Sequence, residues 1–458
     1  MKYIIVLIFS MNILYSYSQI LSLKEMKSDI DYYFTILNNE HPDLYRKYTK
    51  NQYDLLYKNI ISEIKDSMSC VDFNRILLKM NAYTDSHTSI SSNRIWGKYM
   101  NRDILPYFLI DTSSFSLLLN GDSVISINDV KVNKIVEEIY NTCSWEENVL
   151  LKESNVNFYL PYYFSAFYNI TEPYSILRKD MKTGAIYRDT VKVNIKKNRI
   201  GAPHVNFEFL EGDSIAVLHY NSCDLISMIY KRALSKAFEV IKKNNVKYLF
   251  IDVAKNGGGG SSSNELIFEH LNSKKSKIEI LRKFNKSMID VALKEDMEAR
   301  EEYLSTKGVS WLERLVLKNE LRKMKRKSPC YLKTGTMVLK EVYPKNTKGF
   351  DGSVFVIQSR ATYSAAVDFV EAFRRRRMGI VVGEKPGLPI GYCGNVKEDV
   401  LPYSKISIHY SSACATCFPL IETDENGFLV PDIPYDVYNR ELGVEDYLKI
   451  IEMSHHFK

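Results

Sequence analysis

Residues 251–263 read IDVAKNGGGGSSS: the end of an apolar, strand-like run, four contiguous glycines from Gly257 to Gly260, and three serines. A glycine run at the end of a buried strand lets backbone amides approach a negative group, because no side chain stands in the way. That group is either a phosphate or a developing oxyanion. A phosphate loop needs GxxxxGK followed by Ser or Thr, and a dinucleotide site needs GxGxxG opening a helix. Neither spacing occurs, since Ser261, Ser262 and Ser263 follow the glycines directly. A plain flexible loop at a strand end and an oxyanion site remain, and the second calls for a nucleophile elsewhere in the chain.

Working outward, strands and helices alternate from about residue 205. Residues 215–219 and 246–253 are apolar runs of strand length, and between them Leu234, Phe238 and Ile241 recur at helical spacing. Residues 354–357 and 380–382 form a second such pair around a helix expected over 365–374. Apolar strands joined by helices imply a sheet covered on both faces. Thr362-Tyr363-Ser364-Ala365-Ala366 stands between strand and helix in the second pair. A serine there either caps the helix or presents its hydroxyl as a nucleophile near the positive helix end.

The remaining sequence reads as further modules, as a 458-residue length leads one to expect. Residues 1–18 carry one lysine, a short apolar run and Ser16-Tyr17-Ser18, the pattern of an export signal. Residues 19–95 read as a helical domain that ends in the polar turn Asp85-Ser86-His87-Thr88, and residues 96–204 as a small β-rich module. Within that module, residues 121–128 read as strand, turn, strand. Residues 205–458 form the α/β core, interrupted at about 272–348 by a polar, helix-rich insertion expected to cap it.

The net charge of +7 comes from 62 basic and 55 acidic residues spread among one another, which argues against a nucleic-acid partner. The densest basic run, Arg374 to Arg377, closes the helix after Ser364 and reads as a solvated helix end. The single CxxC pair, Cys414 and Cys417, has no second pair at zinc spacing, and a local disulfide between the two stays open. Neither metal nor cofactor is expected, and no later segment is apolar enough to be an integral membrane span.

His87, the glycine run and Ser364 occur in the order found in the tail-specific, or C-terminal processing, serine peptidases. The chain resembles that family, in particular its tricorn-core-like branch. The carriers are His41-Pro42-Asp43-Leu44-Tyr45, Asp85-Ser86-His87-Thr88, Ser126-Ile127-Asn128, Ile251-Asp252 with Asn256-Gly257-Gly258-Gly259, Thr362-Tyr363-Ser364-Ala365, Val382-Gly383-Glu384 and Val430-Pro431-Asp432. The resemblance implies a PDZ-like module over 96–204 and a ClpP- or crotonase-like core. It implies Ser364 as nucleophile and the amides of Gly258 and Ala365 as oxyanion hole, with Gly257 or Gly259 able to replace Gly258.

Many relatives pair the serine with a lysine, but Pro389 stands where that lysine is expected, and Lys385 is the alternative base. The branch with a Ser-His pair implies His87 as base, Ser86 as its orienting neighbour and Glu422 as the acid. The implied activity is an exported serine endopeptidase acting on extended polypeptide. A peptide-binding protein without catalysis and a small-ester hydrolase use the same scaffold.

Overall fold

The computed structural model describes residues 19–91, 106–168, 170, 173–191, 203–210, 214–224, 227–305, 311–438 and 440–457. The expected export segment, residues 1–18, lies outside the described residues. The chain separates into two compact units, each built from distant stretches: Met1–Ile95, Glu279–Lys340 and Gly391–Phe418 in one, Trp96–Ile278, Glu341–Ile390 and Pro419–Lys458 in the other.

In the second unit a six-stranded sheet runs in the order Val205–Leu210, Ile215–Tyr220, Tyr248–Asp252, Ser353–Gln358, Ile380–Gly383 and Ile433–Pro434. The first pair is antiparallel and every later pair parallel. The inner strands are apolar along their whole length because both faces are covered. On one face Phe250 stacks on Phe355 at 4.6 Å and packs with Tyr447 and Ile450 of the helix Val444–Ser454. On the other, Phe369 of the helix Ala365–Arg375 meets Phe268 at 4.7 Å and Tyr220 at 5.5 Å.

The same unit holds a five-strand path, Leu109–Asp111, Ser116–Leu119, Asp122–Ile127, Tyr174–Lys179 and Ile186–Val191, with Val130–Lys131 paired beside it. The expected strand-turn-strand over 121–128 is instead one strand with a turn at each end. Asn120-Gly121 and Asn128-Asp129 take positive φ at both central residues, and each joins its strands through a two-residue hairpin.

The first unit opens with three helices, Leu23–Glu40, Lys50–Glu63 and Cys70–Leu78. Ser22 and Thr49 cap the first two through reciprocal boxes with Glu25 and Gln52. Its sheet runs Thr336–Tyr343, Ser276–Phe284, Ser407–Phe418, Cys393–Val400, with Ser89–Ile90 also paired to Ser407–Phe418. The insertion is therefore not all helical. Two strands bracket its helices Lys286–Ser305 and Trp311–Thr334, and the alternation in KIEILRKF and TMVLKEVY was masked by their charges.

One open question closes and one further expectation changes. Cys414 is disulfide-bonded to Cys393, directly across the sheet, rather than to Cys417. The arginine run is not a solvated helix end: Arg374 pairs with Asp432, Arg375 with Glu371 and Arg376 with Glu265, and Arg376 also lies over the Tyr343 ring. Among the described residues, no helix is long and apolar enough to cross a membrane.

Candidate active site

The glycine run and Ser364 form one cradle at the ends of neighbouring parallel strands. Three hydrogen bonds tie the turn before Ser364 to the segment after Asp252, and a fourth closes the turn on itself. The Ser359 hydroxyl donates to Ala254 O and the Thr362 hydroxyl to Val253 O at 2.9 Å. The Ser359 amide donates to Thr362 Oγ1 at 2.9 Å, and the Tyr363 amide to Asn256 O at 3.0 Å. Held in this way, Ser364 adopts φ +52° and ψ −126° and makes no capping hydrogen bond to its helix. A serine at positive φ is strained by about 1–3 kcal/mol. The turn thus aims the hydroxyl away from the cap position that a helix-starting serine ordinarily takes.

The four glycines are not equivalent. Gly258 has φ +103°, and a Cβ there would lie 2.7 Å from Ser364 Cβ and 3.1 Å from Ala365 N. At Gly259, φ is +129° and a Cβ would fall 2.4 Å from Asp224 Oδ1. Around Gly257 nothing lies within 4 Å. On the oxyanion assignment that the resemblance implies for Gly258, Gly258→Ala is expected to lower kcat/KM by about 100- to 1,000-fold, the loss usual for one such donor, while Gly257→Ala leaves it nearly unchanged. Steady-state kinetics of the two variants on one peptide checks the contrast.

Asn256, part of the family pattern, has a role that the sequence did not assign. It is fully buried, donates Nδ2–H to Tyr220 O at 2.9 Å and accepts the Gly258 amide on Oδ1 at 2.9 Å. The Gly258 amide, expected to be open to an oxyanion, is held by this side-chain turn. The Ala365 amide opens the helix 365–375 and has no intrahelical acceptor, which makes it the ready donor. The signal for Asn256 was its place two residues before Gly258, the offset at which an Asn side chain closes a turn on its own backbone.

Arg360 braces the turn from the other side. Its guanidinium makes a two-pronged pair with Glu384, at 2.8 and 2.9 Å, and lies over the Tyr438 ring. This gives Val382-Gly383-Glu384 a structural role. Lys385 is exposed and paired to Asp424 at 2.7 Å, the opposite of the desolvated setting a lysine base requires. Glu422 lies exposed in the segment after Phe418 and has no hydrogen-bond partner among the described residues.

In the first unit the polar turn is organised around Asp85. This carboxylate is buried and bonds through Oδ2 to His41 Nε2 at 2.6 Å, and through Oδ1 to the Ser411 hydroxyl at 2.8 Å and the His87 amide at 3.0 Å. His41 Nδ1 accepts the Asp43 amide at 3.1 Å, which puts the His41 proton on Nε2, facing Asp85. Burial alone raises the Asp85 carboxyl, but His41, Thr88 and Ser411 together hold it below the usual carboxylate range.

The His87 ring stacks on Tyr392 at 5.2 Å, and Ser86 Oγ stands 3.4 Å from its Nδ1. Burial lowers the His87 pKa below its ordinary value, against smaller opposing contributions from Asp85 and the Cys393 backbone.

Residues 214–389 match the model of Peptidase family S41. Among solved structures, mature CPAF aligns over 90% of this chain and 92% of its own at 14% identity and TM-score 0.61. Mature CPAF complexed with lactacystin gives 94%, 97%, 14% and 0.63. A mutant form of CPAF gives 94%, 96%, 12% and 0.65. No curated protein sequence matches the chain. The matched segment spans both the glycine loop and the Ser364 turn, and over it the chain is similar to peptidase family S41, the family of the tail-specific and C-terminal processing serine peptidases.

Proposed function

We propose that this protein is an exported serine endopeptidase that hydrolyses extended or chain-end polypeptide segments without a metal or cofactor. The observation that carries the reading is Ser364 at positive φ against Gly258, on a strand-to-helix turn within the matched segment. A helix cap needs no such strain, whereas an exposed nucleophile does. The Ser364 oxygen attacks the scissile carbonyl and its proton passes to His87. The same proton then goes to the leaving amine, and water releases the acyl group by the reverse route.

The carbonyl oxygen, now negative, is met by the Ala365 amide and by the glycine loop, where Gly258 serves once its bond to Asn256 is exchanged for one to the oxyanion. Ser86 orients His87 through Nδ1, and Glu422 is the acid of this assignment. Residues 96–204 are assigned as a PDZ-like module that takes the substrate segment by strand addition, and 205–458 as a ClpP- or crotonase-like core with its insertion. Export rests on residues 1–18.

The test is labelling with a fluorophosphonate probe and peptide mapping of the adduct. A single adduct on Ser364, lost in His87→Ala and retained in Lys385→Ala, is the expected result. An adduct elsewhere, or one that needs Lys385 and not His87, overturns the assignment.

The depressed His87 pKa also fixes a pH dependence. A base works when unprotonated, so the acidic limb of kcat/KM is expected to have its midpoint below the ordinary histidine value of about 6.5. A pH-rate profile with a midpoint above that value contradicts burial as the governing influence.

A further inference from the structure

The helices Lys286–Ser305 and Trp311–Thr334 pack against each other through Ile289, Leu293, Met324 and Tyr331, each nearly or fully buried. At about 100° per residue, the side of the second helix opposite Met324 and Tyr331 carries Trp311, Leu315, Lys318, Arg322, Arg326 and Lys333 in one stripe. Trp311 is 73% exposed and Leu315 57%, unusual values for residues of this size at the head of a regular helix. Residues 318–327, KNELRKMKRK, hold six cations and one acid. That acid, Glu320, is paired with Arg300 of the first helix at 2.7 Å, and Lys325 turns to that helix, meeting Glu301 at 2.9 Å. Glu320 and Glu301 are thus engaged within the hairpin, and the stripe of Trp311, Leu315, Lys318, Arg322, Arg326 and Lys333 contains no acid.

We propose that this stripe docks the protein on an anionic phospholipid bilayer surface, with Trp311 and Leu315 entering the headgroup layer and the cations lying along the phosphates. Two features favour a bilayer over a compact anion or a nucleic acid. The helix has 24 residues, so the stripe is about 36 Å long and matches an extended flat surface. The exposed indole and isobutyl groups share the stripe with the cations, and such a combination gains from an interfacial layer but not from a phosphodiester backbone. The inference goes beyond the peptidase reading and does not depend on it.

The experiment is co-sedimentation of full-length Ser364→Ala protein with vesicles of phosphatidylglycerol and phosphatidylcholine, and with phosphatidylcholine alone. Binding to the anionic vesicles only is expected. Partitioning should fall about 25-fold in Arg322→Gln/Arg326→Gln, at about fivefold per cation removed, and should also weaken in Trp311→Ser/Leu315→Ser. All four side chains are exposed, so unchanged far-UV circular dichroism separates lost docking from misfolding. Equal binding to neutral vesicles, no binding to either, or full binding by the arginine variant overturns the proposal. Retention on double-stranded DNA that the Trp311→Ser/Leu315→Ser variant leaves unchanged, without vesicle binding, assigns the stripe to nucleic acid instead.

Discussion

Ser364→Ala is expected to reduce kcat on an unstructured polypeptide by about five to six orders of magnitude, because in the proposed mechanism nucleophile and base act as a unit and loss of either removes nearly all covalent catalysis. Single-turnover assays with the purified variant check the size of the loss. A second substitution at the same position reports on why the serine is there. Alanine carries a Cβ and inherits the strain of φ +52°, whereas glycine adopts that conformation freely. Ser364→Gly should therefore be as inactive as Ser364→Ala and more stable than it by about 1 kcal/mol. Equilibrium denaturation of the pair measures this directly. A glycine variant no more stable than the alanine variant would show that the turn stores no strain and that the hydroxyl geometry has another origin.

Asp85→Ala carries the largest expected loss of stability. The carboxylate accepts from His41 Nε2, the Ser411 hydroxyl and the His87 amide, and its removal leaves those donors buried without their acceptor. Breaking such a buried group costs about 3–5 kcal/mol, read as a lowered midpoint in chemical denaturation. The His87 amide loses its anchor in the same step, so peptide hydrolysis should fall further than the unfolded fraction accounts for. The pH sign follows from the depressed folded-state pKa of Asp85. Its contribution is complete above the unfolded carboxylate value of about 4 and fades as pH falls through the lower folded value. The acid-unfolding limb of the wild type should steepen in that window, and the variant should lack the step. Asp85→Asn, which keeps the shape but supplies an amide for a carboxylate oxygen, should fall between the two.

What the sequence disclosed, and what it hid, follows the range of the interactions involved. Ser364 and the glycine loop were legible because strand, turn and helix are local patterns written in runs of a few residues. The alternating core strands were legible for the same reason. Gly258, rather than its neighbours, was not separable from the run, since only the approach of Ser364 Cβ distinguishes it. The Asp85 network was invisible because its partners sit 44 residues earlier, at His41, and 326 later, at Ser411.

The cysteines show the limit in its simplest form. Cys414 and Cys417 are three apart on one strand and so point to opposite faces, while Cys393 lies directly across from Cys414 on the neighbouring strand. Closeness in sequence misled because a strand alternates. Lys385 was likewise near in sequence, yet its ammonium is occupied at the surface by Asp424.

The discontinuous make-up of the first unit has a consequence for how the protein comes into being. The turn bearing His87 is held by Ser411, Tyr392 and the Cys393 backbone, all encoded more than 300 residues downstream. During synthesis the amino-terminal helices emerge early and wait for the Cys393–Phe418 hairpin before their last turn can be fixed. At ordinary elongation rates of about 5–20 residues per second, that delay is of the order of tens of seconds. A chain interrupted between residues 365 and 410 would carry Ser364 and its glycine loop but leave the His87 turn without its Ser411 contact, so on the proposed assignment the order of the chain itself keeps the peptidase silent until Ser411 has been made.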